Sequence, residues 1–280
     1  YKTISTNDIK KMIKKCISNN FLEFDTSPSY KKADKILLEF KKKNPNILIN
    51  TKCGWDLNMN RTYNVDEIKK GIENTLEKFG KINVLQLHNP RNEIKNWDLI
   101  IEMFNYYKMK RLINFSGISL ARNHYFSSKI LNSFDFIQDE FNLLRIDPIQ
   151  KIKNYKNILA ARSVFANGIL TDGFKQKSIY QKNDHRNSWL KGERKKNIFI
   201  QKELLEKISE DNISQFAMNF VMHYKLFDKF IFGFRTERQF ESFLSNLKNI
   251  EPLNKKIIKK INFFHKNNRS FLNKKLRYNN

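Results

Sequence analysis

Seven short apolar runs, set apart by longer polar stretches with helical patterning, constrain this chain more than any other feature. The runs cover residues 21–27, 47–52, 83–88, 114–119, 134–141, 158–165 and 229–234. Each reads as a strand buried on both faces, since a parallel sheet covered by helices shows short apolar runs rather than strict alternation. The stretches between them are amphipathic. In residues 65–79, Ile68, Ile72, Leu76 and Phe79 fall at helical spacing behind Asn64, a residue type suited to a helix N-cap. A βαβα alternation gives either an open doubly wound sheet or a closed barrel. Seven strands in 280 residues favour the second: an α/β chain folded as a (β/α)8 TIM barrel with its first strand missing or truncated.

Residues 8–17 read as the first helix, so the absent strand is expected ahead of Tyr1. The longest interval between runs, residues 166–228, holds a polar, Gly-containing stretch to about residue 196 and helix-like segments at 200–208 and 214–226. A long loop over the barrel mouth is expected there. No linker divides the chain, and residues 1–280 are read as one domain with a basic tail, expected to be flexible, from about residue 268.

Bulk charge points elsewhere and has to be weighed. The net charge of +25 and pI of about 9.9 suggest, by themselves, a nucleic-acid or anionic-membrane partner. The lysines are dispersed through every segment, however, and accompany abundant Asn, Ile and Phe with only 8 Gly. That profile follows from an A- and T-rich coding sequence, and dispersed charge gives a salt-sensitive attraction without readout. No nucleic-acid partner is expected. No apolar run approaches the roughly 18 residues of a membrane span, so no membrane partner is expected and the chain is read as soluble. Cys16 and Cys53 lack metal-ligand spacing, as do His124, His185, His223 and His265, so neither a disulfide framework nor a metal site is expected. A reducing, cytoplasmic compartment fits, and the start at Tyr1 shows no charged-then-apolar leader. The oligomeric state is not legible.

A barrel of this kind places its chemistry at the C-terminal ends of its strands. Read in order, those ends carry Asp25 and Tyr30, then Lys52, then His88. An acid leaving a buried strand is costly without a cationic partner, and Lys52 can be that partner. An unperturbed Tyr titrates near 10, and a nearby ammonium stabilises its phenolate and lowers that value. Lys52 is therefore expected within reach of both Asp25 and Tyr30. His88 can hydrogen-bond a substrate oxygen, and the set amounts to general-acid catalysis coupled to hydride delivery. Singly, each residue has a structural explanation: an ion pair, a loop aromatic, a satisfied histidine. Four such coincidences at successive strand ends make the catalytic explanation the better one. Trp55, in the loop after Lys52, either lines a substrate pocket or packs the loop.

The run Phe-Leu-Glu-Phe-Asp-Thr-Ser-Pro-Ser-Tyr, then Ile-Asn-Thr-Lys, then Leu-Gln-Leu-His-Asn-Pro resembles the aldo-keto reductase superfamily. The family's catalytic tetrad of Asp, Tyr, Lys and His falls on Asp25, Tyr30, Lys52 and His88. The likeness continues through Gly-Ile-Ser at 117–119, Gln-Asp-Glu-Phe-Asn at 138–142, the stretch 161–170 and Gly-Phe-Arg-Thr-Glu-Arg-Gln at 233–239. It implies an NADPH-dependent oxidoreductase acting on a small-molecule aldehyde, ketone or sugar-related carbonyl, with NADH as the other possible cofactor. It implies that Ser119 and Gln138 hold the nicotinamide carboxamide. Arg162, Ser163, Asn167, Gly168 and Leu170 would contact the ring and pyrophosphate. Gly233, Arg235 and Gln239 would grip the adenosine end at a helix N-terminus, with Arg235 pairing with a 2′-phosphate. Departures stand beside the matches: Leu120 replaces an Asn, Ser242-Phe243 a Glu-Asn pair, and Lys31 a Gly. They leave a rival of another class, a non-catalytic cofactor-binding or regulatory member. A Rossmann site is excluded, since no two of the 8 glycines are separated by a single residue.

Overall fold

The computed structural model describes residues 5–121, 126–149, 155–177, 180, 184 and 186–275. All seven apolar runs form strands: β1 (Glu23–Asp25), β2 (Leu48–Cys53), β3 (Ile82–His88), β4 (Ile113–Ser119), β5 (Phe136–Glu140), β6 (Ile158–Arg162) and β7 (Lys229–Phe230). Every neighbouring pair is parallel and the order is sequential, β1 to β7. The sheet is curled, and its two edges face one another. Lys229 on β7 forms an ion pair with Glu23 on β1. Parallel neighbours lie about 4.8 Å apart, so a gap bridged by one Lys and one Glu side chain has room for about one further strand. The fold is the expected barrel, with seven strands among the described residues. β7 is shorter than its apolar run because it pairs on one side only.

Helices cover the outside of the sheet. Val65–Phe79 shows how the sequence builds one: Asn64 accepts from the Glu67 amide at 3.1 Å, and Ile68, Ile72 and Phe79 are buried. The main apolar core lies between these helices and the sheet, whereas Val84, Phe136 and Ala160 pack together as a separate small cluster. Thr6–Ser18 and Glu237–Lys248 close the ring beside the gap between β1 and β7, with Lys15 paired to Glu237 and Glu241. Phe243 joins Phe21, Phe232, Phe234 and Phe240 in an aromatic cluster there. This explains Phe243 where the resemblance implied an amide: the position is 5% exposed and filled by rings.

The expected long interval holds a 3-10 turn (Ala166–Gly168), a short helix (Arg186–Trp189) and longer helices Gly192–Glu206 and Ile213–His223. The helix beginning at Gly192 starts earlier than its polar first turn suggested, drawn in by buried Ile198, Lys202 and Leu205. Lys255–Lys275 is helical and includes the start of the expected tail; residues 276–280, His124 and His185 lie outside the described residues. Among the described residues, no helix is long and apolar enough to cross a membrane.

Candidate active site

Strand register brings the site together. Lys52 pairs with Gln86 and Gln86 with Gly117, while His88 pairs with Ser119 and Ser119 with Gln138. These side chains therefore stand at adjacent levels of one mouth, at the C-terminal ends of the strands. Lys52, only 4% exposed, donates to Asp25 Oδ2 at 2.5 Å and to the Thr26 carbonyl oxygen at 2.9 Å. Asp25 Oδ1 accepts from Gln86 Nε2 at 3.1 Å and from Gln138 Nε2 at 3.0 Å. The carboxylate is thus held by one ammonium and two amides, the pairing that makes a buried charge tolerable. Gly117 provides the space: a Cβ there would lie 2.8 Å from Gln86 Cγ and 3.3 Å from the Phe136 carbonyl oxygen.

Tyr30 ends the 3-10 turn Pro28–Tyr30 that follows β1, with its amide bonded to the Ser27 carbonyl at 2.8 Å. It stands at the mouth rather than on the outer ring, near enough for Asp25 and Arg162 to act on it. The expected hydrogen bond from Lys52 is not formed. Among the described residues, both hydrogen bonds of Lys52 Nζ go to Asp25 and Thr26, and Tyr30 is 53% exposed. Nor is the phenol made more acidic. Desolvation, seconded by the Asp25 carboxylate, holds its pKa above the ordinary value, with Arg162 pulling the other way.

His88 closes β3. Desolvation, then the charges of Lys52, Arg61 and Arg162, push its pKa down to about 3, so the ring is neutral at neutral pH. Its Nδ1 is buried without a partner among the described residues, as is Trp55 Nε1, and the two rings lie 5.7 Å apart. The Trp55 ring thus packs against the His88 ring at the end of β3. Gly71 on the helix Val65–Phe79 lets the Trp55 carbonyl approach, since a Cβ there would meet that oxygen at 2.7 Å. Arg61, which sequence reasoning missed, lies 4.6 Å above the Trp55 ring and donates through Nη1 to the His88 carbonyl at 2.6 Å. Gln86 was missed as well, although its signal was present: a polar residue two positions before His88, on the same strand face.

The residues assigned to cofactor contacts occupy the other side of the mouth. Ser119 and Gln138 are buried and bonded to each other, Oγ to Oε1 at 3.1 Å. Arg162, at the end of β6, donates to the Leu120 carbonyl at 2.9 Å and to Ser163 Oγ at 3.3 Å. Leu120 so contributes a backbone oxygen where its side chain offers none. The next turn is strained: Ser163, Ala166 and Asn167 hold φ of 57°, 45° and 58°, followed by Gly168 at 88°. Left-handed backbone costs an ordinary residue about 1–2 kcal/mol, and such conformations gather at functional sites. Asn142 Nδ2 fixes this turn through the Ser163 carbonyl at 3.0 Å. Leu170 is fully buried and packs in the core.

Gly233 is exposed with open space around it. Arg235 precedes the Thr236 cap of the helix Glu237–Lys248, and its amide donates to Gln239 Oε1 at 2.7 Å. Its guanidinium lies 3.7 Å from Asp184, which two nitrogens of Arg186 also grip at 2.9 and 2.6 Å. Those arginines, Arg186 first, hold the Asp184 carboxyl well below the usual range. Nothing in the sequence linked Asp184 to Arg235.

The model of the Aldo/keto reductase family matches residues 1–265. Among solved structures, a glycerol dehydrogenase from Gluconobacter oxydans superposes with a TM-score of 0.75 at 18% identity, covering 93% of this chain and 86% of its own. An aldo-keto reductase from Bacillus halodurans in its holo form gives 0.77 at 16% identity, covering 94% and 88%. The apo form of that protein gives 0.68 at 14%, with the same coverage. No curated protein sequence matches the chain. At these identities the likeness establishes the barrel, and the family match extends to nearly all of the sequence.

Proposed function

The chain belongs to the aldo/keto reductase family, and from that premise we propose that it is an NADPH-dependent reductase converting an aldehyde, ketone or sugar-related carbonyl to the alcohol. The observation that carries this reading is the Asp25–Lys52 ion pair at the ends of β1 and β2, with Tyr30 on the adjoining turn and neutral His88 beside it. Tyr30 is the proton donor. Its raised pKa keeps the phenol protonated across the ordinary assay range, as an acid must be before it donates. Lys52 neutralises Asp25, whose uncompensated charge would oppose loss of the phenolic proton. His88, uncharged, donates a ring N–H to the substrate oxygen and holds it toward Tyr30.

The chain's donors fit a nicotinamide dinucleotide. Ser119 Oγ retains an acceptor site and Gln138 Nε2 a second hydrogen for a carboxamide. Arg162, the strained turn at 163–168 and the helix N-terminus after Arg235 supply positive potential for phosphates. When bound, the reduced nicotinamide supplies hydride to the carbonyl carbon. Arg235 favours NADPH, with NADH the alternative. The non-catalytic rival draws its support from the missing Lys52–Tyr30 bond. Loss of dihydronicotinamide absorbance with a panel of small aldehydes, ketones and sugars tests the two. Turnover is expected; tight NADPH binding with no turnover across the panel would favour the rival.

A further inference from the structure

The segment after β2 doubles back on itself. Trp55 and Arg61 form an antiparallel bridge, and the Thr62 amide returns to the Gly54 carbonyl at 3.1 Å. This turn places the half-buried Arg61 guanidinium over the Trp55 ring and beside the end of β3. Nη1 is engaged by the carbonyls of His88 at 2.6 Å and Asn89 at 3.3 Å. Nε and Nη2 donate to nothing among the described residues, and neither is sealed from solvent. Arg61 makes no ion pair with a carboxylate among those residues; the Asp56 carboxylate nearby in sequence is bonded to Asn60 instead.

The surroundings make that open edge consequential. Trp55 Nε1, His88 Nδ1 and Asn89 Oδ1 are buried at the same strand end with no hydrogen-bond partner among the described residues. Lys52 is balanced by Asp25, but Arg61 and Arg162, which both act on His88, have no such partner at ion-pair distance among the described residues. Arg162 has the buried Asp139 within electrostatic reach, so the cation at this strand end whose open edge faces no carboxylate among the described residues is Arg61. Arg61 is held at the end of β3, beside β4, whereas most of the residues assigned to the cofactor lie further along the sheet, at the ends of β5 to β7. A guanidinium with one edge fixed and the other open matches the planar fork of a carboxylate, and stacking on an aromatic ring holds it in orientation.

We propose that Arg61, stacked on Trp55, forms a carboxylate subsite, so that the substrates of this reductase are carbonyl compounds that also carry a carboxylate. The identification as substrate rests on the reductase reading; the subsite itself does not. Tryptophan fluorescence is measured during titration with butyrate, the isosteric neutral butyramide, and ethyl phosphate, with and without NADP+. Butyrate is expected to give a saturable change that Trp55→Phe abolishes, and butyramide none. Arg61→Met should weaken butyrate binding about tenfold or more, with Arg61→Lys between it and the parent because charge remains while the fork is lost.

Turnover of succinic semialdehyde against butanal is then compared. The parent should favour the semialdehyde, and Arg61→Met should lose that preference by the factor lost in binding. Equal responses to butyrate and butyramide, or an unchanged butyrate affinity in Arg61→Met, would overturn the proposal. A response to ethyl phosphate but not to butyrate would overturn the carboxylate assignment. Arg61-dependent butyrate binding without turnover of any carbonyl would remove the reductase reading and leave the subsite standing.

Discussion

The two sides of the mouth are built differently. On one side, Asp25, Lys52, Gln86 and His88 sit on strands, and register alone sets their neighbours. On the other, the residues assigned to the cofactor lie largely on turns and helix caps, where Asn142 fixes the turn of Ser163 and Asp184 braces Arg235. A strand-borne site is specified by the same hydrogen bonds that make the sheet, so removing one side chain leaves a stranded partner. A turn-borne site is specified by side chains from distant parts of the sequence, so removing one loosens a grip without exposing a buried charge.

The largest effect that would sharpen this contrast is expected from Lys52→Met. It leaves the Asp25 carboxylate, 15% exposed, without its cation. Removing one partner of a buried pair costs about 3–5 kcal/mol, to be read as a fall in urea midpoint at unchanged slope. A loss under about 1 kcal/mol would place Asp25 in an environment far closer to water.

Across the mouth, Arg235→Ala should leave folding stability nearly unchanged, because its guanidinium is 39% exposed and Asp184 keeps its two bonds from Arg186. Its effect should appear in binding instead. NADPH affinity is expected to drop about tenfold or more while NADH affinity barely moves, since only the former has a 2′-phosphate to make charge-assisted hydrogen bonds. Equal losses for the two cofactors would remove Arg235 as the discriminating residue.

Gln86→Leu should have the smallest effect. The substitution deletes one amide bond to Asp25 but also removes Gln86 Oε1, a buried acceptor without a partner among the described residues. The gain offsets much of the loss, and about 1 kcal/mol of destabilisation is expected by urea titration. A cost as large as that of Lys52→Met would mean that the amides, not the ammonium, hold the carboxylate.

The same contrast explains what the sequence disclosed. Asp25, Lys52 and His88 were legible because period-2 strands and a known barrel polarity locate side chains at one end of a sheet. The error concerned Tyr30, which hangs from a turn. Order along the chain could bring it to the mouth, but not say that Lys52 would spend its bonds on Asp25 and Thr26. Arg61 and Asp184 were illegible for a related reason. Each acts through a bridge or loop closure between segments whose geometry no periodicity encodes. Phe243 is the converse case: a departure in the cofactor motif whose explanation is packing against Phe21, Phe232 and Phe234.

The central claim is that the strand-end cluster does chemistry, with Tyr30 as its acid. Tyr30→Phe tests it most directly, because the change removes only a hydroxyl that makes no hydrogen bond among the described residues, so fold and cofactor site should survive. With any carbonyl the parent reduces, kcat is expected to fall by about 10²–10⁴-fold, the contribution of a positioned general acid, with NADPH affinity nearly unchanged. A Phe variant that turns over at the parent rate would contradict the account.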